Sequence, residues 1–204
     1  MKVQKTKVAF FGLLSATLLT ISCSKDKVEA TPIPSAAATY SNNTGLFITD
    51  RSGVFITPVL RTINIPKAGT INDPSKISVD ISLNHDNADD LVMILYLPNG
   101  DNFTLLRNVG ADNNFVANNI LTFVSSSTYT ISNTASNVNI FAGFYKQCLS
   151  TNQNLVLSND DLMETVLANK SIQGDWILKI YDTKFTNLGF FNFVKINLAE
   201  GALK

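Results

Sequence analysis

The chain has 204 residues, charged side chains make up only 16% of them, and the formal net charge is zero. This length allows one domain of ordinary size with a leader, and the balanced charge removes the electrostatic case for a nucleic-acid partner. Short apolar runs are broken by Asn, Gly and Pro, and helical periodicity is nearly absent. The composition therefore favours an all-β domain.

The first 23 residues have the pattern of an export signal. Three lysines precede an apolar segment, 8–21, that is too short for a permanent membrane helix. Residues 20–23 are Thr-Ile-Ser-Cys and resemble a bacterial lipobox, although Thr20 stands where Leu is usual. We therefore predict a lipoprotein signal peptide over 1–23, with a lipid on Cys23 that attaches the chain to the membrane. The alternative is an ordinary secretory signal that is cleaved nearby.

Residues 24–40 are rich in Lys, Glu, Ala and Pro and are predicted to form a flexible linker. The start of the linker, 24–27, is similar to the charged export signals of surface lipoproteins in Bacteroidetes; a plain solvated linker is the alternative. The predicted location is the cell envelope, as an outer-membrane lipoprotein that the export signal would bring to the surface. The folded domain is predicted over 41–204.

The first half of this domain is predicted to consist of strands. Residues 77–83 alternate strictly between apolar and polar side chains, which indicates a strand with one face in water. Residues 91–97 are apolar throughout, so we expect a strand that is covered on both faces. A turn over 98–101 leads into a return strand. Further strand candidates are 45–48, 53–56, 59–65 and 103–106.

The middle of the domain is rich in Asn and Ser, and we expect long loops over 108–137 with strand candidates at 120–124 and 129–131. A short helix is predicted within 151–170. Ser158 is expected to cap it, with two aspartates in the first turn and apolar side chains facing the core. The residues concerned are Asp160, Asp161, Leu162, Val166 and Leu167.

The clearest pattern covers 174–198. Every second residue from Trp176 to Ile180 is apolar, and the alternation resumes over 190–198 after an Asn-Leu-Gly turn. This period of two predicts two half-buried strands. We expect the aromatic side chains of this segment to pack in the core rather than to stack on sugars; they are Trp176, Phe190, Phe191 and Phe193.

These motifs, in this order, resemble the P domain, also called the Homo B domain, of kexin- and furin-like proprotein convertases. The closing block of that family, G-x-W-x-L-x-v-x-D … G-x-L, is matched at Gly174, Trp176, Asp182 and Gly189, which we predict to be a structural motif. The final Trp of the family is absent, and Phe193 is its substitute. Earlier matches are Val79, Ile81, His85, Asp90, Leu91, Pro98, Gly100 and 141–145.

The resemblance extends over 45–200 and implies a jelly-roll β-sandwich of the galactose-binding-like kind with at most one short helix. In the convertases the chemistry belongs to a separate subtilisin-like domain, whose serine motif is absent here. His85, the single histidine, stands at a structural position of the family, so we predict no catalytic residue and no enzyme. Hydrolysis by a carboxylate pair is the least favoured alternative, because most of the available carboxylates are expected to be loop and cap residues in water, although sequence spacing does not give the distance between any two of them. Cys148 is expected to be a partly buried, unreactive thiol.

A set of acidic residues at predicted strand corners is the candidate metal site. Ca²⁺ prefers several oxygen ligands in loops between strands, and some bacterial P domains bind calcium, so the resemblance favours this ion. The alternative is that Asp90 and Asp182 accept hydrogen bonds from backbone N–H groups at corners, as Asx-turn residues do. The candidate calcium ligands are Asp86, Asp89, Asp90 and Asp182.

The predicted function is that of a non-enzymatic module of the cell envelope that binds a protein or a glycan through its end loops. The alternative is an accessory partner that stabilises a subtilisin-like protease in trans, as P domains do in cis for the convertases. An exposed aromatic cleft would favour a glycan and a flat apolar patch a protein partner, since the fold alone does not decide function. Tyr145 and Phe115 are the candidate exposed aromatic contacts.

Overall fold

A computed structural model describes residues 36–52, 56–131, 138–150, 156, 158–185 and 187–204. The predicted signal peptide, the lipid site Cys23, residues 24–35 of the predicted linker and most of the strand candidate 53–56 lie outside these ranges. Within the described ranges, no helix is both long enough and apolar enough to cross a membrane.

The described residues form two β-sheets around a shared apolar core, with one short α-helix, so the prediction of an all-β sandwich is confirmed. The helix α1 covers Met163–Leu167, and two 3-10 helices cover Pro74–Lys76 and Ala88–Asp90. The strands, in chain order, are β1 (Ala36–Asn42), β2 (Leu46–Ile48), β3 (Val59–Ile65), β4 (Ile77–His85), β5 (Leu91–Tyr96), β6 (Asn102–Arg107), β7 (Asn114–Phe115), β8 (Leu121–Val124), β9 (Asn139–Ile140), β10 (Gly143–Tyr145), β11 (Cys148–Leu149), β12 (Gly174–Asp182) and β13 (Gly189–Ala199).

The larger sheet is built on β13, which pairs antiparallel with β4 along one edge and with β1 and then β2 along the other. β4 in turn pairs with β7 and β8, and these pair with β9 and β10. The smaller sheet has the order β11-β6-β5-β12-β3. The two closing strands β12 and β13 therefore belong to different sheets, and the chain crosses from one sheet to the other between Asp182 and Gly189.

The inward face of β12 follows the predicted alternation. Trp176, Leu178 and Ile180 are fully buried. The Trp176 indole N–H donates to the carbonyl oxygen of Ile172 at 2.9 Å, so the one polar atom of this large side chain is satisfied inside the core. The neighbouring strand β5 is buried over nearly its whole length, which confirms the prediction from its continuous apolar run.

β13 departs from plain alternation because of a bulge. The register against β4 shifts between Phe191 and Phe193. One extra residue in a strand turns the side chains that follow it to the opposite face. Phe191 and Val194 are therefore both buried in the core, although strict alternation would place them on opposite faces.

One face of β4 was expected in water, and this expectation is wrong. Ser78 and Ser82 are buried. The cause lies on β13, where the side-chain amide of Asn197 donates to Ser78 Oγ at 3.2 Å and that of Asn192 donates to Ser82 Oγ at 3.3 Å. The side chains of Asn192 and Asn197 on β13 therefore shield the serines of β4 from solvent. The strand candidate 129–131 is also wrong, because no strand forms there.

The predicted helix forms, but Ser158 does not cap it. α1 begins after Leu162, which makes no side-chain cap hydrogen bond. Ser158 Oγ accepts from Arg107 Nη1 at 2.7 Å instead, because this buried guanidinium requires partners. Val166 and Leu167 face the core as expected, whereas Leu162 is exposed and the two predicted first-turn aspartates precede the helix.

β1 begins inside the segment that the sequence predicts as a linker. It pairs with β13 from Ala36, opposite Ala199, to Asn42, opposite Val194. Ala38 and Tyr40 pack against the apolar core. The predicted boundary at residue 41 therefore lies within a strand.

Candidate functional site

A buried corner of polar residues lies where β4 and β12 end and β13 begins. His85 and Asp182 are both buried, and the His85 Nε2–H donates to Asp182 Oδ2 at 2.9 Å. The other oxygen of Asp182 accepts the backbone N–H of Lys184 at 3.1 Å. Asp182 thus holds the corner in the manner of an Asx-turn residue, and the imidazole beside it is closed to solvent.

Two glycines of the predicted structural motif are required by close packing. At Gly189, an added Cβ would lie 2.4 Å from His85 Cδ2. At Gly174, φ is +124° and an added Cβ would lie 2.8 Å from Pro98 Cβ. Side chains do not tolerate either position. These residues shape the core and the corner, and the buried Trp176 completes the same packing.

A lysine from the connection between β12 and β13 lies beside two carboxylates of the second 3-10 helix. Lys184 Nζ is 3.0 Å from both oxygens of Asp89 and 3.1 Å from Oδ1 of Asp90. Asp90 is fully buried, and its Oδ2 accepts from Asn187 Nδ2 at 2.6 Å. Burial raises the pKa of Asp89, and the hydrogen bond from Lys184 opposes this. Burial works against the charged Lys184, yet its hydrogen bonds to the two carboxylates raise its pKa.

The four predicted calcium ligands do not converge on one point. Asp182 faces the buried histidine, Asp89 and Asp90 face Lys184, and Asp86 is exposed. In the part of the chain that the structure describes, no three His, Cys, Asp or Glu side chains are grouped to hold a metal. Two of the predicted ligands, Asp89 and Asp90, have the Lys184 ammonium beside them. Calcium binding stays a prediction, and the melting experiment below tests it.

Cys148 is enclosed by backbone groups. Its Sγ accepts the backbone N–H of Ile131 at 3.2 Å and donates to the carbonyl oxygen of Lys146 at 3.1 Å. Burial raises the pKa of the thiol. Because the thiolate is the nucleophilic form, this arrangement suits packing rather than covalent chemistry.

A groove that the sequence does not predict lies on the larger sheet. It has a volume of about 530 Å³ and is lined by β4, β8, β10 and the end of β13. Polar side chains from three strands meet on its floor. Asn197 Nδ2 donates to Asp80 Oδ2 at 2.9 Å, and Thr122 Oγ1 donates to Asp80 Oδ1 at 2.8 Å. Asn197 Nδ2 also lies 3.2 Å from Ser78 Oγ, so one network joins the floor.

The walls of this groove are mainly apolar. Ile120, Val124 and Phe144 line it, so Phe144 is the aromatic contact that the sequence reasoning missed. Of the two aromatic contacts that were expected to be exposed, Phe115 is buried, because β7 pairs with β4 and packs on the core. Tyr145 is only partly exposed and packs on the same core.

An exposed apolar patch lies at the other end of β13. Phe47 on β2 is 70% exposed and meets the ring of Phe190 edge-on, with ring centroids 5.2 Å apart. A shallow depression of about 400 Å³ separates β2 from the start of β3 beside it. In the connection between β12 and β13, Phe185 and Leu188 are also exposed. We call this surface the apolar patch; its members are Leu46, Phe47, Leu60, Phe185 and Leu188.

Comparisons with known proteins leave the family open. No protein-family model matches the chain, and no curated protein matches it. The chain is similar to a solved structure of the serine protease of Aeromonas sobria in complex with its chaperone, with a TM-score of 0.37 and 14% identity over 80% of this chain and 27% of that chain. For the serine protease of Aeromonas sobria alone, the TM-score is 0.36 and the identity 15%, over 83% of this chain and 28% of that chain. The chain therefore spans less than a third of those chains, and TM-scores of this size carry no argument.

Proposed function

We propose that this chain is a non-enzymatic lipoprotein of the cell envelope whose P-domain-like sandwich binds a glycan in the groove over Asp80. The observation that carries this proposal is the groove itself, about 530 Å³ in volume, with a hydrogen-bonded polar floor and apolar walls. Ligand sites combine apolar walls with a few polar groups that fix orientation. A volume of this size suits one or two sugar rings.

The chemistry of the groove matches that of a sugar, which presents hydroxyl groups at its edges and C–H groups on its faces. The carboxylate of Asp80 accepts one hydrogen bond at each oxygen from Thr122 and Asn197, and each oxygen retains a lone pair for a ligand hydroxyl. The apolar side chains of Ile120 and Phe144 lie where the C–H faces would rest. Because the floor is held by its own hydrogen bonds, little side-chain freedom is lost on binding.

Binding is favoured over hydrolysis by the charges of the groove. Among the residues that line it, Asp80 is the single carboxylate, whereas glycoside hydrolysis uses a pair. A general base has to come within hydrogen-bond reach of its substrate. The His85–Asp182 pair is buried at the other end of β13, away from any such contact.

The position of the groove agrees with attachment through a lipid on Cys23. Ala36 pairs with Ala199, and Ala199 lines the groove. The chain from Cys23 to Ala36 spans at most about 47 Å when fully extended. A chain that is attached at Cys23 therefore holds the groove within that distance of the lipid surface, so we expect the ligand to be a glycan of the envelope.

A glycan panel presented to the full chain tests the proposal. Asp80→Asn removes the charge of the floor, and we expect at least about a tenfold loss of affinity for the glycan that the wild type retains. Asp175→Asn changes an exposed carboxylate on β12, in the other sheet, and is the matched control that should bind like the wild type. A wild type that retains no glycan, or two variants that bind equally well, contradicts the proposal.

The apolar patch favours a second candidate, an accessory partner of a subtilisin-like protease acting in trans. Exposed apolar side chains that lie together mark surfaces that bind proteins, and Leu46, Phe47 and Leu60 line one depression. A cross-linked pull-down of the lipidated protein from its own cells, with the wild type and Phe47→Ser in parallel, separates the two candidates. One stoichiometric protease that is lost with Phe47→Ser supports the accessory role. An eluate that holds envelope polysaccharide and no such protease supports the groove.

A further inference from the structure

The cation at the buried corner belongs to the chain itself. Lys184 Nζ lies 3.0 Å from each oxygen of Asp89 and 3.1 Å from Asp90 Oδ1. An ammonium has three hydrogens to donate, and these distances are those of hydrogen bonds between nitrogen and oxygen. Ca²⁺ takes six to eight oxygens at about 2.3–2.6 Å. The ammonium hydrogen-bonds both oxygens of Asp89 and lies at ion-pair distance from Asp90 Oδ1, which has no hydrogen-bond partner of its own.

A cation at this place is favourable. Asp89 and Asp90 are adjacent in the chain, and Asp90 is fully buried. Two carboxylates that face one point repel each other, and a buried carboxylate without a positive partner is costly. A positive charge, from a tethered side chain or from an ion in solution, lets both carboxyl groups stay ionised.

We propose that Lys184 is the built-in cation of this corner, which replaces a divalent metal, and that loss of its ammonium exposes a divalent-cation site between Asp89 and Asp90. The chain then joins the second 3-10 helix to the connection between β12 and β13 without any ion from solution. This inference is independent of the groove and of its glycan.

Hydrogen bonds hold the backbone next to Lys184 in a position that places its ammonium beside Asp89 and Asp90. The backbone N–H of Thr183 and its hydroxyl each donate to the carbonyl oxygen of Asp90 at 2.8 Å. The backbone N–H of Lys184 donates to Asp182 Oδ1. A tethered group competes at a high effective concentration with any free ion. A divalent ion would have to displace the ammonium and leave it without its partners.

The same charges position part of the apolar patch. Phe185 follows Lys184 directly, and Asn187 donates to Asp90 just before Leu188. The connection that presents Phe185 and Leu188 is therefore held by an internal ion pair. We expect the patch to keep its arrangement whether calcium is present or not.

Thermal melting of the full chain tests this inference with Lys184→Met, which keeps a long side chain and removes the charge. We expect the wild-type midpoint to be the same in EDTA and in millimolar Ca²⁺. Lys184→Met should melt at a lower temperature in EDTA, regain at least about 3 °C in Ca²⁺, and bind Tb³⁺ by luminescence. Lys179→Met is the matched control, because the Lys179 ammonium lies over the Tyr96 ring, 4.1 Å from its centroid, and not between carboxylates.

Two outcomes overturn the inference. The first is a wild type that Ca²⁺ stabilises, because a metal then binds although Lys184 is present. The second is a folded Lys184→Met variant that neither gains stability in Ca²⁺ nor binds Tb³⁺, because it then has no cation site. If Lys184→Met does not fold, the wild type decides through the ¹⁵N signal of its Lys184 ammonium. We expect that signal to be unchanged by Ca²⁺; a signal that shifts with Ca²⁺ refutes the proposal.

Discussion

Two polar clusters at opposite ends of β13 use similar side chains for different purposes. In the groove, Asp80 accepts from Thr122 and Asn197 and is half-buried. In the corner, Asp182 accepts from His85, and both are closed to solvent. A half-buried carboxylate has a lone pair for a ligand, whereas a buried one cannot lose its partner without a large cost. Burial, not residue type, separates the cluster that can bind from the cluster that holds the fold.

The largest expected effect is in the corner. Asp182→Ala leaves the His85 Nε2–H and the backbone N–H of Lys184 without their buried acceptor. We expect the free energy of unfolding to fall by about 3–5 kcal/mol, as for other broken buried pairs, measured by urea titration. Asp80→Ala in the groove is the comparison and should cost less than about 1.5 kcal/mol. Equal losses at the two positions would remove the distinction between the clusters.

A methyl group sharpens the same comparison without changing any charge. Gly189→Ala sets a Cβ 2.4 Å from His85 Cδ2, and overpacking of this kind costs about 1–3 kcal/mol. Gly143→Ala, in the wall of the groove, sets its Cβ no closer than 3.6 Å to another residue, so we expect a change within about 0.5 kcal/mol. Urea titration of both variants measures the difference. A Gly143→Ala variant that is the less stable of the two contradicts this packing.

A single hydroxyl tests how far the floor of the groove depends on its own network. Thr122→Val removes the donor to Asp80 Oδ1, and we expect a loss of about 1 kcal/mol in the free energy of unfolding. Affinity for the retained glycan should fall as well, because the carboxylate is then less well positioned. Thr49→Val, at an exposed hydroxyl that donates to the carbonyl oxygen of Thr57 outside the groove, is the control. A control that loses as much stability as Thr122→Val shows that burial of the hydroxyl is not the cause.

The smallest expected effect concerns pH. Burial raises the pKa of Asp89 above its ordinary value, which is about 3.9. At a pH between the ordinary pKa and the raised pKa of the folded state, Asp89 is protonated in the folded protein and ionised in the unfolded chain. Asp89 therefore adds stability as the pH falls through this range, and the added stability is lost as the pH rises. The wild type should therefore gain stability relative to Asp89→Asn on acidification, as followed by urea titration from neutral to acid pH. If the wild type instead loses stability relative to Asp89→Asn on acidification, the effect of Lys184, which lowers the pKa of Asp89, is larger than the effect of burial.

The strands that the sequence predicts best are those whose pattern is set by one buried face. Alternation around Trp176 identifies the inward face of β12, because a period of two is a property of the strand itself. The bulge after Phe191 and the burial of Ser78 escape this reasoning. Both depend on the partner strand, and a local pattern holds no information about the partner.

The corner was foreseen only in part for the same reason. The sequence shows acidic residues at strand ends, and Asp182 does accept backbone hydrogen bonds there. It does not show that Lys184 meets Asp89, because 95 residues separate them in the chain. The floor of the groove is likewise assembled over long separations, 42 residues from Asp80 to Thr122 and 117 from Asp80 to Asn197. Chemistry that strand pairing brings together is the part that single-sequence patterns miss.

The antiparallel pairing of β1 with β13 decides how the domain responds to pulling. A force that arrives through the residues before Ala36 loads the pair Ala36 and Ala199 first. A ligand held in the groove presses on Asn197 and Ala199, at the same end of the same strand. If the chain is attached at Cys23 and binds a glycan in the groove, as we propose, the mechanical path from the attachment to the ligand is only a few residues long. The core around Trp176 and the corner at His85 lie outside that path, so we expect tension on the proposed attachment to leave both unstrained.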